Sequence, residues 1–322
     1  MLVVKRLNNF GIRHPGSVAA LGSFDGLHRG HLAIIRRLVK RGRETGHDSV
    51  VITFDPHPRQ VLCRNGGPFL LTTLTEKMEL LEALGVGAVA VVRFSPRVAA
   101  LPPGDFIRRV LVEKLAVSEV ICGPDFGFGA GRSGGRDTLA EAGRRWGFRV
   151  AAPSLVRSGG IKVGSSLIRE LISSGKLERA GLLLGRPYCL RGRVVRGLGL
   201  GRKLGFPTAN IKVDDPRKLL PRDGVYAASG RIGGRRHLGM AFIGSRLTLG
   251  RAGRTVEFNA FGGRHDFAGK QAELCFHRFL RPGRRFSGLG ELARAIACDQ
   301  RRVERFFRTG RAGGLPAGRK SE

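Results

Sequence analysis

Hydrophobic and polar positions follow different periods on the two sides of Arg186. Before it, residues 18–22, 48–54 (DSVVITF), 88–94 (AVAVVRF), 119–123 and 148–152 are largely apolar and do not alternate. Such runs are the pattern of strands buried on both faces. Between them, residues 31–40, 74–84, 103–115 and 139–146 space their apolar side chains as amphipathic helices do. Thr73 or Thr75 caps the second of these, and Gly85 and Gly87 end it. Pro102-Pro103 starts the third. Alternating strands and helices predict an α/β domain on a parallel, doubly wound sheet. Two further helices follow, one entered at Ser165 or Ser166 and running through Gly175, the other over residues 176–184 and ended by Gly185.

From Tyr188 the segments shorten to LRGRVVRG, GVYAASGRI, HLGMAFIG, RTVEFNAF and AELCFHRF, with glycine between them. The next long amphipathic stretch is 288–307. This is the pattern of an antiparallel β-barrel closed by a C-terminal helix. The chain therefore divides into residues 1–185, residues 186–310 and a Gly/Pro/Lys-rich tail, 311–322, expected to be disordered.

Composition changes this picture at three points. No apolar run is long enough for a transmembrane helix, and residues 1–13 lack the apolar core of a signal peptide. Cys63, Cys122, Cys189, Cys275 and Cys298 are scattered, with no CxxC pair. Reduced thiols in a cytoplasmic protein without a zinc site are expected. Lys and Arg exceed Asp and Glu by 32, which raises nucleic-acid binding as one reading. The basic residues are dispersed, however, and two Tyr and one Trp leave little aromatic surface for stacking bases. Attraction of phosphorylated small molecules is the milder consequence of the charge, with no membrane partner and nucleic acid disfavoured.

The candidate chemistry begins at the turn after the first buried strand, Gly22-Ser23-Phe24-Asp25-Gly26-Leu27-His28-Arg29-Gly30-His31. Glycine lets a backbone approach a ligand closely, and the following helix N-terminus favours negative charge, so the turn can cradle phosphate. His28 and His31 are three apart, on one face of the first helical turn, and can donate to the same phosphate. A strand–turn–helix with two surface histidines has the same pattern. His57 follows the next strand in Asp55-Pro56-His57-Pro58, at the strand edge where ligands bind in open α/β sheets. In the glycine-rich loop 123–134, Asp125, Phe126 and Arg132 can supply an acceptor, an apolar wall and a phosphate partner. A plain surface loop is the alternative. Ser165, Ser166 and Arg169 offer a second phosphate grip at a helix start.

The run Gly201-Arg-Lys-Leu-Gly-Phe-Pro-Thr-Ala-Asn-Ile211 closely resembles the GRxLGFPTANI signature of riboflavin kinases. The turn at His28 and His31 resembles the HxGH signature of nucleotidyltransferases. With TFDPHP at 53–58, the loop from Gly123 and the serine–arginine helix start, the chain resembles the prokaryotic bifunctional riboflavin kinase/FAD synthetases over residues 10–308. That resemblance implies an N-terminal Rossmann-like nucleotidyltransferase domain and a C-terminal β-barrel riboflavin kinase domain. It implies riboflavin, FMN and ATP as substrates, FAD as product, and Mg²⁺ as cofactor. In the adenylyltransferase half it assigns His28 and His31 to catalysis. Gly22, Ser23, Phe24, Asp25, Gly26, Gly30, Ser165, Ser166 and Arg169 fall to ATP, with Asp25 orienting the turn or taking part in Mg²⁺ coordination. His57, Asp125, Phe126 and Arg132 fall on the FMN side. In the kinase half it assigns Glu257 as the base. Gly201, Lys203, Gly205, Phe206, Pro207, Thr208 and Asn210 fall to ATP and flavin, and Thr208 and Asn210 to Mg²⁺.

The chain departs from that pattern at several positions. Gly164 replaces a serine, Ser166 a threonine, Phe242 an asparagine, Leu247 a proline and Ala268 a tyrosine. The kinase-half changes leave an adenylyltransferase with a degenerate kinase module as the alternative, ahead of a basic nucleic-acid-binding protein.

Overall fold

A computed structural model describes residues 1–4, 16–63, 67–153, 156–197, 199–246, 251–263 and 265–310. The side chains of residues 200, 203, 245, 246 and 251–253, the tail 311–322, and Leu247 lie outside the described residues. The chain forms two compact units, Met1–Ser165 and Ser166–Glu322.

The first unit carries a six-stranded parallel sheet. Its strands are β1 (Leu2–Val4), β2 (Ser17–Leu21), β3 (Asp48–Asp55), β4 (Ala88–Arg93), β5 (Val117–Ile121) and β6 (Arg149–Ala151). Their order is β1-β4-β3-β2-β5-β6, all parallel. Connections run outward in opposite directions from β2 and β5, so the topological switch lies between them. Alternate residues of β2 point to opposite faces: Val18 and Ala20 into one core with Ile35 and Leu38, Ala19 and Leu21 into another with Ile107 and Leu111. Burial on both faces explains the uninterrupted apolar runs.

Helix α1 (Arg29–Thr45) starts two residues earlier than the apolar period indicates, because His28 caps it. Next come α2 (Pro58–Leu62), α3 (Leu74–Ala83), α4 (Pro96–Ala99) and α5 (Pro103–Phe106). Thr73 is the residue that caps α3, in a capping box with Glu76. The helix expected over 103–115 is α5 followed by a π-helical segment, Ile107–Val112. Helix α6 (Arg136–Trp146) leads into β6, and a two-stranded hairpin, β7 (Arg157–Ser158) and β8 (Ile161–Lys162), precedes the second unit.

In the second unit, β9 (Tyr188–Val195), β10 (Ala209–Val213), β11 (Gly224–Ile232), β12 (Arg235–Arg246), β13 (Arg251–Ala260) and β14 (Gln271–Arg281) close into an antiparallel barrel. Closure by the β9–β10 pair removes the sheet edges. Tyr226, Phe258 and Phe276 are among its fully buried side chains. Helix α7 (Ser165–Ser173), apart from its first residue, and α8 (Leu177–Leu184) belong to this unit, and α8 packs on β9 and β14. Packing thus divides the chain at Ser165/Ser166, earlier than the change in sequence character at Arg186. After α9 (Leu200–Lys203), the last helix, α10 (Leu289–Arg308), lays Val303 and Phe306 on Ala227 and Met240. The buried Asp299 carboxylate pairs with Arg281 at 2.7 Å.

One expectation is corrected. Cys189 and Cys275 are not reduced thiols but form a disulfide, because the β9–β14 register sets them directly opposite, with Cα atoms 4.0 Å apart. Pairing across 86 residues is a property of strand register and leaves no trace in local spacing. Cys63, Cys122 and Cys298 are free thiols.

Candidate functional sites

The turn after β2 leaves the C-terminal edge of the sheet at its topological switch, where open α/β sheets bind ligands. Three residues in and beside it have left-handed backbone: Phe24 (φ 46°), Gly26 (φ 86°) and Leu27 (φ 39°). Two fastenings hold that shape. The Asp25 carboxylate, 1% exposed, accepts the main-chain N–H groups of Leu71 (3.0 Å) and Thr72 (2.9 Å). The Thr72 hydroxyl accepts the Gly26 N–H at 3.0 Å. On the other side, the Lys77 ammonium donates to the Ser23 carbonyl at 2.6 Å and to the Thr53 hydroxyl at 3.1 Å. The Asp25 carboxylate therefore ties the turn to the Leu71–Thr72 backbone.

The two histidines come together. Their rings stack with centroids 3.6 Å apart. His28 Nδ1 accepts the His31 N–H at 3.2 Å, so the neutral His28 ring carries its proton on Nε2. A Cβ at residue 30 would press on the His28 ring at 3.2 Å, which is why glycine stands there. His31 Nδ1 is buried and has no hydrogen-bond partner among the described residues. Burial first, then the neighbouring His28 and Lys77, hold the His31 imidazole well below its usual pKa. It is neutral at pH 7, with a polar ring atom left for a ligand.

Other expected residues of this half lie around the same sheet edge. His57 follows β3 and caps α2, accepting the Arg59 N–H at 3.1 Å, with its ring edge-on to Phe69. Asp125 pairs with Lys162 of β8 at 2.5 Å. The Arg132 guanidinium folds back on the Asp125 carbonyl at 3.4 Å. Phe126 stacks on Phe128 and packs against the core. The Ser165 hydroxyl donates to the Asp25 carbonyl at 2.8 Å. Since α7 begins at Ser165, its cap position falls on Gly164, not on either expected serine. Ser166 and Arg169 follow on α7, in the second unit.

In the barrel, β10 pairs with β13 so that Asn210 lies directly opposite Glu257. Directly opposed residues share a face. Val256 and Phe258 point the other way, into the core. The Thr208 hydroxyl donates to Glu257 at 3.3 Å. Thr208, Asn210 and Glu257 thus form one oxygen-rich cluster. Thr208, Asn210 and Pro207 also line a pocket of about 460 Å³ with Arg196, Arg202, His265 and Phe267. The backbone from Gly201 to Thr208 curls tightly. The Phe206 N–H donates to the Gly201 carbonyl at 2.7 Å, and a Cβ at residue 201 would meet the Phe206 carbonyl. Gly205 supplies a left-handed φ of 83° within that curl. Lys203 lies on α9, its side chain outside the described residues.

Sequence reading missed three supporting side chains. Asn259 donates to the Pro207 carbonyl at 2.8 Å and anchors the curl. Thr53 and Lys77 lie beneath the first turn. Lys77 left one signal: it precedes the buried Leu81 by four residues, so a charged residue occupies the apolar stripe of α3. Of the departures, Phe242 is directly opposite Glu257 on β12, on the same face. Ala268 lines the pocket beside Phe267.

Residues 12–167 match the FAD synthetase family model and residues 184–307 the riboflavin kinase model. The bifunctional riboflavin kinase/FMN adenylyltransferase of Escherichia coli K12 is 36% identical over 91% of this chain and 93% of its own length. The protein of that description from Pseudomonas fluorescens is 37% identical over 93% and 96%. The crystal structure of a Streptococcus pneumoniae protein described as a macrolide-efflux protein matches with a TM-score of 0.83. It is 28% identical and covers 95% of this chain and 98% of that one. Among the described residues, no helix is long and apolar enough to cross a membrane.

Proposed function

We propose an assignment of residues to two reactions, starting from the family to which this chain belongs, the bifunctional riboflavin kinases/FMN adenylyltransferases. The C-terminal half phosphorylates riboflavin to FMN with ATP, and the N-terminal half adenylylates FMN with ATP, giving FAD and pyrophosphate. The observation that carries the assignment is the presence of two chemically different polar clusters, one in each unit.

In adenylyl transfer, an oxygen of the FMN phosphate bonds to the α-phosphorus of ATP and the bond to pyrophosphate breaks. The nucleophile is already an anion, so the demand is for positioned donors, not for a base. His28 Nε2–H and the neutral His31 ring meet that demand, and the turn 22–26 with Gly30 brings main chain close to the triphosphate. Ser165, Ser166 and Arg169 serve the β- and γ-phosphates. His57, Asp125, Phe126 and Arg132 serve the flavin side.

In the kinase reaction, the riboflavin 5′-hydroxyl attacks the γ-phosphorus and ADP leaves. Glu257 takes the hydroxyl proton as the new bond forms. The Gly201–Asn210 curl, with Lys203, Gly205, Phe206 and Pro207, holds nucleotide and flavin. Thr208 and Asn210 offer the all-oxygen donor set that suits Mg²⁺, and they would hold the ion that offsets phosphate charge.

The test separates the halves. Glu257→Ala should stop FMN formation from riboflavin and spare conversion of supplied FMN to FAD, both read by chromatography. His28→Ala should do the reverse. Loss of both reactions from either change, in folded protein, would show that the residues are assigned to the wrong reactions.

A further inference from the structure

Lys77 is 4% exposed, and it shares the buried face of α3 with the capping Glu76 and with Leu81. Its ammonium reaches under the first turn to the Ser23 carbonyl at 2.6 Å. Thr53, which takes a second bond from Lys77, donates to the same carbonyl at 3.2 Å. Two donors, one of them charged, therefore hold a single peptide oxygen.

In a trans peptide the carbonyl and the following N–H point in opposite directions. Drawing the Ser23 carbonyl down onto Lys77 turns the Phe24 N–H to the opposite side of the turn. Three nearby N–H groups are spent inside the protein: Gly22 on Ile52, Gly26 on Thr72 and Leu27 on Phe24. Among the described residues the Phe24 N–H has no such partner. Phe24 also holds a left-handed φ of 46° without being glycine. Its ring is buried and edge-on to His31, so this peptide is kept in an uncommon conformation directly beside the histidine pair.

We propose that Lys77 is a positioning residue for adenylyl transfer: by gripping the Ser23 carbonyl it presents the Phe24 amide N–H to the phosphates of ATP. This deepens, and rests on, the assignment of adenylyl transfer to this half. Uncharged, Lys77 grips the carbonyl more weakly, because hydrogen bonds from an ionised donor are about twice as strong as neutral ones. The groups facing it are Asp25 in the turn and Asp55 at the end of β3, which favour its charge, and His31 on α1. Burial outweighs the two carboxylates and brings the Lys77 pKa down to about 8.

The experiment measures kcat and KM for ATP in FMN-to-FAD conversion across pH 7 to about 9.5, for wild type, Lys77→Met and Lys77→Arg. Riboflavin phosphorylation is measured on the same preparations. Wild type should lose kcat/KM for ATP as pH rises through about 8. Lys77→Met should fall by about tenfold or more at pH 7 and show no alkaline limb near 8, with phosphorylation within about twofold of wild type. Lys77→Arg should recover part of the rate and stay charged across the range. A flat wild-type profile, or a Lys77→Met rate within about twofold of wild type, overturns the inference. If Lys77→Met does not fold, the wild-type and Lys77→Arg profiles decide, and an unchanged limb in Lys77→Arg counts against it. A wild-type chain that makes no FAD from FMN overturns the underlying assignment as well; one that makes FAD while a named outcome fails overturns this inference alone.

Discussion

Removing the Asp25 carboxylate separates an architectural role from a metal-binding one. The side chain is 1% exposed and receives Leu71 N–H at 3.0 Å and Thr72 N–H at 2.9 Å. Leu71 and Thr72 are themselves buried, so water cannot replace the lost acceptor. Asp25→Ala leaves two buried N–H groups unpaired, at roughly 1–3 kcal/mol each, or about 2–6 kcal/mol together. It also removes one of the two carboxylates that favour the Lys77 charge. Asp25→Asn keeps one oxygen and should lose about half as much. With a urea slope of about 2 kcal/mol/M, Asp25→Ala should lower the midpoint at which FAD formation disappears by roughly 1–3 M. The midpoint for riboflavin phosphorylation should not move. The measurement is a urea series in which both activities and the far-ultraviolet circular dichroism are followed. An unchanged midpoint, with a raised Mg²⁺ requirement for FAD formation, would refute the reasoning and return Asp25 to metal binding.

Three further outcomes follow from the same geometry. Titration of thiols in unfolded, unreduced protein should count Cys63, Cys122 and Cys298 alone, and reduction should add Cys189 and Cys275. Five thiols before reduction would disprove the link. His31 is held below its usual pKa of 6.5, so below that pH the unfolded chain binds more protons than the folded one. Stability of the N-terminal half is therefore full above 6.5 and falls as pH drops, which urea midpoints at about pH 7.5 and 5.5 would show. His31→Asn should flatten that slope, and an identical slope in the variant would contradict the burial argument. Phe242→Asn exchanges the ring opposite Glu257 for a polar side chain and should raise kcat/KM for riboflavin by about threefold or more, leaving FMN-to-FAD conversion alone. No change would mean that the ring does not meet the flavin.

What could be read from the chain follows the range of the interactions that set it. Strands β2 to β5 and helices α1, α3 and α6 declare themselves within a few residues, because burial on two faces or one face leaves a local hydrophobic period, and β6 falls within the apolar run 148–152. Strand β1 was not read from the sequence, and Leu2–Val4 takes its place by parallel pairing with Ala88–Ala90. The His28–His31 pair and the Thr208–Asn210 segment are contiguous motifs and were legible as such. Their partners were not. Glu257 was found through family resemblance, while its placement opposite Asn210 depends on a register 47 positions further along the chain. Asn259, Thr53 and the Cys189–Cys275 link depend on registers of the same kind. Lys77 shows the limit most sharply. On a helical projection it is a lysine four residues from a leucine, and a lysine there can extend its stem and keep its charge in water. What denies it water is the Gly22–Gly26 turn arriving from another part of the sequence, with a carbonyl turned toward it. Both candidate sites were therefore visible as motifs, whereas the groups that hold those motifs in shape became visible only once the strands were paired.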